Sequence, residues 1–529
     1  MDDRQFNFFA TETRVAGVLL HPTSLPGAFP VGDFGPEAFR FLDWMAAAGL
    51  RLWQVLPLSV PDDENSPYGS LSVFAGAACL ISPQQLVDDG LLSEAEGGGD
   101  AAAFDNVAEV DYVAAACTKE PLLRRAADRF FALPPDTAMR KEFAAFAERN
   151  SWLQEHCLFM ALRKANDGGP WWEWTAGVDA DHRPLPDAMG EFAADIRYHQ
   201  FVQFIFQRQW RAVREYGRQR GIAILGDLPI YVAEESCDVW SHRDLFQLDA
   251  AGRPTAVAGV PPDYFAEDGQ LWNNPLYNWD KMQGNGFAWW IRRMEATLDL
   301  VDMVRLDHFR GYDEYWAVPA GEETARNGKW MPGPGNAFFQ SLLDALRPRS
   351  GPVLPLVAED LGHITESVTE LRERFHLPGT KVLQFALEHA GDEKTLTGEI
   401  DPATLLYTGT HDNDTTVGWY RSVIAPDATK RERAWRYLAL AAGDSAEDDA
   451  RAVARRVLEL AWSSPAQIAL APMQDFLGLG AHARMNVPGT SIKVRRNWVW
   501  RMRAEDLTPR LAEEIGAITC RHGRGAPNI

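Results

Sequence analysis

Asp307 stands in the segment Arg305-Leu306-Asp307-His308-Phe309-Arg310-Gly311, directly behind the apolar run 298–304. Glu359 and Asp360 close the run 353–358, and His411 and Asp412 close the run 405–410. Arg305 and Asp307, two apart on an extended strand, point the same way. Arg305 is therefore expected to lower the pKa of Asp307 and hold it ionised, as an anionic nucleophile requires. Glu359 follows a wholly apolar stretch, so burial is expected to raise its pKa and keep it protonated, as a general acid requires. One ionised and one protonated carboxyl, about 5–5.5 Å apart, is the pair that retaining glycoside chemistry uses. Asp412 would be a third group, set against sugar hydroxyls. Each of these carboxylates also has a plainer reading as a structural ion pair. Asp360 adjoins Glu359 but faces the other way. His308 and His411 read either as satisfied core histidines or, beside carboxylates, as sugar contacts. The triplet Asp412-Asn413-Asp414 lacks the Gly and distal Glu of a calcium-binding EF-hand loop, so no metal site is expected there.

Something must carry these groups to one place. Eight short apolar runs without alternation, at 17–20, 52–56, 222–225, 300–306, 353–357, 381–385, 404–407 and 467–471, read as strands covered on both faces. Helical patterns lie between many of them, at 36–48, 198–220 and 365–375. Repeated strand–helix alternation predicts an α/β fold, a (β/α)8 barrel, whose working groups sit at the C-terminal ends of strands. An open doubly wound sheet fits the periodicity too, but no Gly-rich phosphate-binding turn is present. Roughly 165 residues separate the second and third runs, far beyond an ordinary connection. This predicts a mostly helical insertion over 61–204, with an exposed loop at 94–100 and helices at 120–133 and 136–164. Residues 1–60 and 205–529 would form the barrel. A Pro-, Gly-, Tyr- and Trp-rich part at about 229–298 would form loops over its mouth.

Composition narrows the function classes. The 529 residues are 46% apolar and 24% charged, as in an ordinary globular chain. A net charge of −22 argues against nucleic acid or an anionic membrane as partner. The cluster Lys493-Val494-Arg495-Arg496 is too short to reverse this and reads as a solvated loop. Five scattered cysteines, with no Cys-x-x-Cys, fit a reducing compartment. With no secretory signal pattern and no membrane-length apolar run, a soluble cytoplasmic protein is expected. The 19 tryptophans supply core, and some supply flat faces suited to sugar rings.

The ordered motifs resemble the signature blocks of the 4-α-glucanotransferases (amylomaltases or disproportionating enzymes), glycoside hydrolase family 77. The resemblance is carried by 305–311, by Ala358-Glu359-Asp360-Leu361-Gly362 and by 407–416. His21-Pro22-Thr23-Ser24-Leu25-Pro26, Ser66-Pro67-Tyr68, Gly226-Asp227-Leu228-Pro229, 258–265, Gln474-Asp475 and Asn486-Val487-Pro488-Gly489-Thr490 add to it. It runs from about residue 17 to Trp500 and is weakest over 90–200. The resemblance implies roles: Asp307 as nucleophile, Glu359 as acid/base, Asp412 as transition-state stabiliser. It implies that Arg305 and His411 contact the cleaved sugar. It implies that Tyr68, Asp227, Gln270, Trp272 and Asn486 line the glucan subsites, with Tyr264 and Phe265 on an overhanging loop. It further implies α-1,4-glucans as donor and acceptor and no metal or organic cofactor. An α-amylase-like retaining hydrolase and an inactive glucan-binding protein are the alternatives. One departure stands out: Asn273 occupies a position where the family usually has Gly, and Asn is the side chain that best tolerates a left-handed backbone.

Overall fold

The computed structural model describes residues 6–11, 13–62, 64–99, 101–104, 107–262, 267–389, 400–440, 446–490 and 493–525. Its strands in chain order are β1 (Val15–Leu19), β2 (Leu52–Gln54), β3 (Ala223–Leu228), β4 (Ala256–Val260), β5 (Gln270–Pro275), β6 (Met303–Leu306), β7 (Glu314–Pro319), β8 (Lys329–Pro332), β9 (Leu356–Ala358), β10 (Gly379–Val382), β11 (Thr404–Tyr407) and β12 (Ile468–Pro472). Eight of them form one parallel sheet in the order β10-β11-β12-β1-β2-β3-β6-β9. Its two ends meet where the Ala358 N–H donates to the Pro378 carbonyl at 2.8 Å. This is the expected (β/α)8 barrel.

Alternate residues of each strand go to different cores, as the two-residue strand period demands. Val15, Leu19, Leu52, Ala223, Leu225, Met303, Val357, Leu405, Tyr407, Ile468 and Leu470 share one buried cluster inside the barrel. Ala16, Val18, Trp53, Ile224, Val304, Leu356, Leu406 and Ala469 join the outer cluster, between sheet and helices. Phe6 and Phe8 belong to the inner cluster. They lie at its N-terminal end, under the guanidinium groups of Arg218, in the last turn of the helix before β3, and of Arg51, the residue before β2. The barrel floor is therefore closed by aromatic rings. Gly17 shows how tight the interior is: a Cβ there would come within 2.4 Å of the Leu52 carbonyl oxygen.

All eight apolar runs become barrel strands, but with shifted ends. The run expected at 381–385 splits: β10 ends at Val382, and Leu383–His389 is helical. Register explains this, because pairing with β11 starts the strand at Gly379 opposite Thr404. The run 300–306 shortens to Met303–Leu306, since Leu298 and Leu300 close the preceding helix Ala288–Leu300.

Between β2 and β3 the chain is helical over Pro83–Asp88, Tyr112–Ala132, Ala138–Arg149, Leu153–Ala165 and Ala193–Gln219. The helix expected from 120 begins at Tyr112, capped by the Asp111 carboxylate accepting from Ala114 N–H. Pro121 sits inside it. The single helix expected over 136–164 breaks at Asn150–Trp152. The loop expected at 94–100 carries the short helix Glu94–Gly97, fixed by a Ser93/Glu96 capping box. Phe130, Phe143 and Phe146 of these helices pack on Phe204, and Phe34, behind the first barrel strand, packs on Phe206 and Trp210. The helix Ala193–Gln219 thus serves insertion and barrel at once.

The expected mouth loops are organised by a second, antiparallel sheet in the order β5-β4-β7-β8. Half of it comes from the segment after β6, beyond the stretch expected to cover the mouth. Asn273, on β5, adopts φ 61°, the left-handed geometry that its identity allows.

Candidate active site

The strand parity that sorts the cores also aims the chemistry. Ala223 and Leu225 face inward, so Asp227 does; Met303 faces inward, so Arg305 and Asp307 do; Val357 faces inward, so Glu359 does. Asp227 and Arg305 stand directly opposite each other in the β3/β6 register. Asp360, of the other parity, leaves the cleft: it accepts from Thr380 N–H at 2.7 Å and pairs with Arg372 at 3.2 Å.

Arg305 is the hub. Its Nη1 donates to Asp227 Oδ2 at 2.7 Å and Oδ1 at 2.8 Å, and to Asp307 Oδ1 at 2.9 Å. Its Nη2 lies 3.9 Å from Glu359 Oε2. Glu359 is held by two backbone donors, His308 N–H to Oε2 and Leu361 N–H to Oε1, both at 2.9 Å. To present that N–H, His308 takes φ 50°, uncommon for a side chain with a Cβ. Its ring meets Trp272 edge-on at 4.8 Å, and Trp272 Nε1 donates to Gln270 Oε1 at 3.2 Å.

On the opposite wall, Tyr68 Oη donates to Asp227 Oδ2 at 2.9 Å and lies 2.9 Å from His411 Nε2. Since the phenol has one hydrogen and the Arg305-paired Asp227 accepts it, His411 Nε2 is the donor to Tyr68. The two rings stack at 5.3 Å. His411 Nε2 is also 3.5 Å from Asp412 Oδ1, and Asn486 Nδ2 donates to the same oxygen at 2.7 Å. A continuous polar chain thus runs from Asp412 through His411, Tyr68, Asp227 and Arg305 to Asp307 and Glu359.

The carboxylates differ in setting. Side-chain exposure is 13% for Glu359, 27% for Asp307 and 43% for Asp412. Burial pushes Glu359 up to about 7, against the pull of Arg305, with the charge of Asp307 adding to the rise. Asp307 does not fall as expected from its arginine. Burial outweighs Arg305 and pushes it up to about 6, with Asp227 and Asp412 contributing. The order nevertheless suits the chemistry. Glu359 is the more buried and the farther from Arg305, so Asp307 loses its proton first. Burial pushes His308 down to about 4, leaving a neutral imidazole near neutrality.

Of the residues singled out by sequence, Asp307, Glu359, Asp412, Tyr68, Asp227, Arg305, His308, His411 and Asn486 belong to this one network, and Gln270 and Trp272 join it through His308. Tyr264 and Phe265 lie outside the described residues. Several neighbours were not anticipated. Trp498 brings its ring within 5.7 Å of Tyr68 and 5.8 Å of His411. Arg484 donates to the Asp412 carbonyl at 2.6 Å. His21, buried beside His411, is pushed down to about 3. Beneath the cluster, Tyr407 Oη donates to Gln54 Oε1 at 2.7 Å. Inward parity at a strand end was the signal available for Gln54 and Tyr407; nothing local marks Trp498. Asn413 and Asp414 spend their side chains within the loop, on Thr410 and on Thr415 N–H.

A parallel eight-stranded barrel whose mouth gathers three carboxylates around a buried arginine is the architecture of an enzyme working on glycosidic bonds. The chain belongs to glycoside hydrolase family 77, the 4-alpha-glucanotransferases, whose family model matches residues 20–508. It is 42% identical over 517 residues to the 4-alpha-glucanotransferase of Synechocystis sp., covering 97% of this chain and 98% of that one. Against that of Thermus thermophilus it is 43% identical over 510 residues, covering 96% and 98%. The structure of amylomaltase from Streptococcus agalactiae in complex with acarbose matches at a TM-score of 0.88 and 33% identity, covering 97% of this chain and 100% of that one. The family resemblance of the motifs is borne out over nearly the whole chain, and the enzyme is of the transglycosylating type.

Proposed function

We propose that the protein transfers α-1,4-glucan segments from a maltodextrin donor to the 4-hydroxyl of glucose or another glucan by double displacement. The observation that carries this reading is the Arg305 hub, which donates a hydrogen bond to Asp307 at 2.9 Å but stands 3.9 Å from the more buried Glu359, so the charge of Asp307 is favoured over that of Glu359. Asp307, ionised first, attacks the anomeric carbon. Glu359, still protonated, gives its proton to the departing glycosidic oxygen. Esterification removes the charge of Asp307, which had been raising Glu359. Glu359 therefore becomes a readier base just when one is needed. It takes the proton of the acceptor 4-hydroxyl, the new bond forms, the bond to Asp307 breaks, and the α configuration is restored. Asp412, the most exposed of the three, is oriented by Asn486 to bind ring hydroxyls as the sugar flattens.

Tyr68, Asp227, His308, His411, Gln270 and Trp272 line the sugar subsites in this reading. Acceptor capture ahead of water is assigned to the connection between β4 and β5. Its returning stem is tied down by Arg326, which pairs with Asp268 at 2.6 Å and Glu267 at 3.1 Å. A held acceptor makes the second attack effectively intramolecular. The five cysteines are all free, which supports a reducing cytoplasm as the site of action. No helix among the described residues is long and apolar enough to cross a membrane.

With maltotriose, the products expected are glucose and longer maltodextrins at a nearly constant number of reducing ends, and Asp307→Asn should lose this activity while keeping its fold. A rise in reducing ends matching the bonds cleaved would make the protein the hydrolase instead, and normal turnover by Asp307→Asn would refute the nucleophile.

A further inference from the structure

The segment bearing His411 and Asp412 is tied at both ends to a side chain that the proposed chemistry does not use. After β11 the chain follows no regular structure from Thr408 to Thr415, then enters the short helix Thr416–Trp419. The first residue of this arch still holds to the barrel, the Thr408 N–H donating to the Leu470 carbonyl of β12 at 3.0 Å, but no ladder continues beyond it in the described residues. Asp475, in the short helix Met473–Phe476 behind β12, grips the arch instead. Its Oδ2 accepts from Thr408 Oγ1 at 2.7 Å and from Thr416 Oγ1 at 2.7 Å, and its Oδ1 accepts from Thr416 N–H at 2.8 Å. The carboxylate is buried. None of its hydrogen bonds reaches Asp307, Glu359 or Asp412.

The rest of the arch is braced in turn. Asn413 Oδ1 takes the N–H and hydroxyl of Thr410, Gln384 Nε2 donates to the Asp414 carbonyl at 2.9 Å, and Arg484 holds the Asp412 carbonyl. Gln384 also spans the arch, its N–H donating to the Thr408 carbonyl at 3.3 Å, but among the described residues Asp475 is the one whose side chain joins Thr408 directly to Thr416, where the helix begins. Two hydroxyls and one amide N–H aimed at one group call for three acceptor sites and no donor, which a carboxylate supplies and a carboxamide does not. Bonds of this kind to an ionised oxygen are short and strong.

We propose that Asp475 is a positioning residue for glucan transfer: by clasping Thr408 to Thr416 it sets where the Asp412 carboxylate stands relative to Asp307. This rests on the reading of Asp412 as a group that acts on the transition state. Relaxing the clasp shifts Asp412 across the cleft without removing any group that touches sugar. Displacements of about 1 Å at a reacting centre cost on the order of 10²-fold in rate.

The test is Asp475→Asn, alone and combined with Asp412→Asn, assayed beside the wild type for transfer from maltotriose and from maltotriosyl fluoride. The single variant should keep its circular dichroism spectrum and a KM within about threefold, while kcat falls on the order of 10²-fold. In the Asp412→Asn background the same change should cost less than about threefold, because both act through one group. A kcat within threefold of wild type, or a full loss repeated on top of Asp412→Asn, overturns the proposal. If Asp475→Asn does not fold, Thr416→Val, which removes one strut, carries the same comparison. Absence of transfer by the wild type would instead refute the proposed function.

Discussion

Arg305 serves three carboxylates with one guanidinium, and the consequence is an order of ionisation rather than a uniformly low pKa. In the proposed role of nucleophile Asp307 must be charged, so kcat/KM should rise as pH climbs through the value near 6 set for it. In the proposed role of acid Glu359 must be protonated, so the same quantity should fall as pH passes the value near 7 set for it. A narrow bell is expected, with both limbs between about pH 5 and 8. Arg305→Met removes the contribution that lowers both groups, so the whole bell should move to higher pH, with kcat/KM reduced on the order of 10²-fold. An unmoved bell in that variant would show that Arg305 does not set the ionisation. Strand parity made Asp307, Glu359 and Arg305 legible from sequence, because a two-residue period needs no tertiary knowledge. The burial of Asp307 was not legible: how much water a carboxylate keeps depends on the loops above it, and the expected low pKa was wrong for that reason. The Tyr68–His411 contact was likewise beyond reach, joining residues 343 positions apart.

The elements follow the same division. Barrel strands announce themselves because both faces are covered, which leaves continuous apolar runs. Their ends do not, as 381–385 showed, because register with a neighbour decides them. The second sheet was hidden more deeply. Gln270–Pro275 reads Gln-Leu-Trp-Asn-Asn-Pro and Lys329–Pro332 reads Lys-Trp-Met-Pro, with neither alternation nor a long apolar run. These strands exist because β4 and β7 pair with them. Within β5, Asn273 is the residue most exposed to backbone strain, at φ 61°. Asn273→Gly should change stability by less than about 0.5 kcal/mol, whereas Asn273→Val should cost about 1–2 kcal/mol, read from urea midpoints. Because β5 carries Gln270 and Trp272, the valine variant should also raise KM for maltotriose. Equal stability of the two variants would mean that this turn is not under steric constraint.

At the scale of the molecule, the first and last barrel strands are bridged by a cation that has no acid among its hydrogen-bond partners in the described residues. Arg524 is fully buried and donates to the carbonyls of Val15, Trp462, Ser464 and Ala466 at 2.6–3.0 Å. It thereby ties the C-terminal helix region to the start of β1 and the approach to β12. Arg524→Met keeps the volume but leaves several buried carbonyls unpaired, and should cost about 3 kcal/mol in urea unfolding. A loss below about 1 kcal/mol would mean that this bridge does not hold the strands together.

Phe6 and Phe8 plug the floor of the same barrel, and that has a bearing on traffic. A glucan cannot thread through the barrel, so whatever reaches Asp307 arrives and departs on the face where the strands end. In the proposed cycle, the fragment released in the first half occupies the space that the incoming sugar needs for the second. Departure must precede arrival, and small sugars at high concentration should crowd out the donor at the threshold they share.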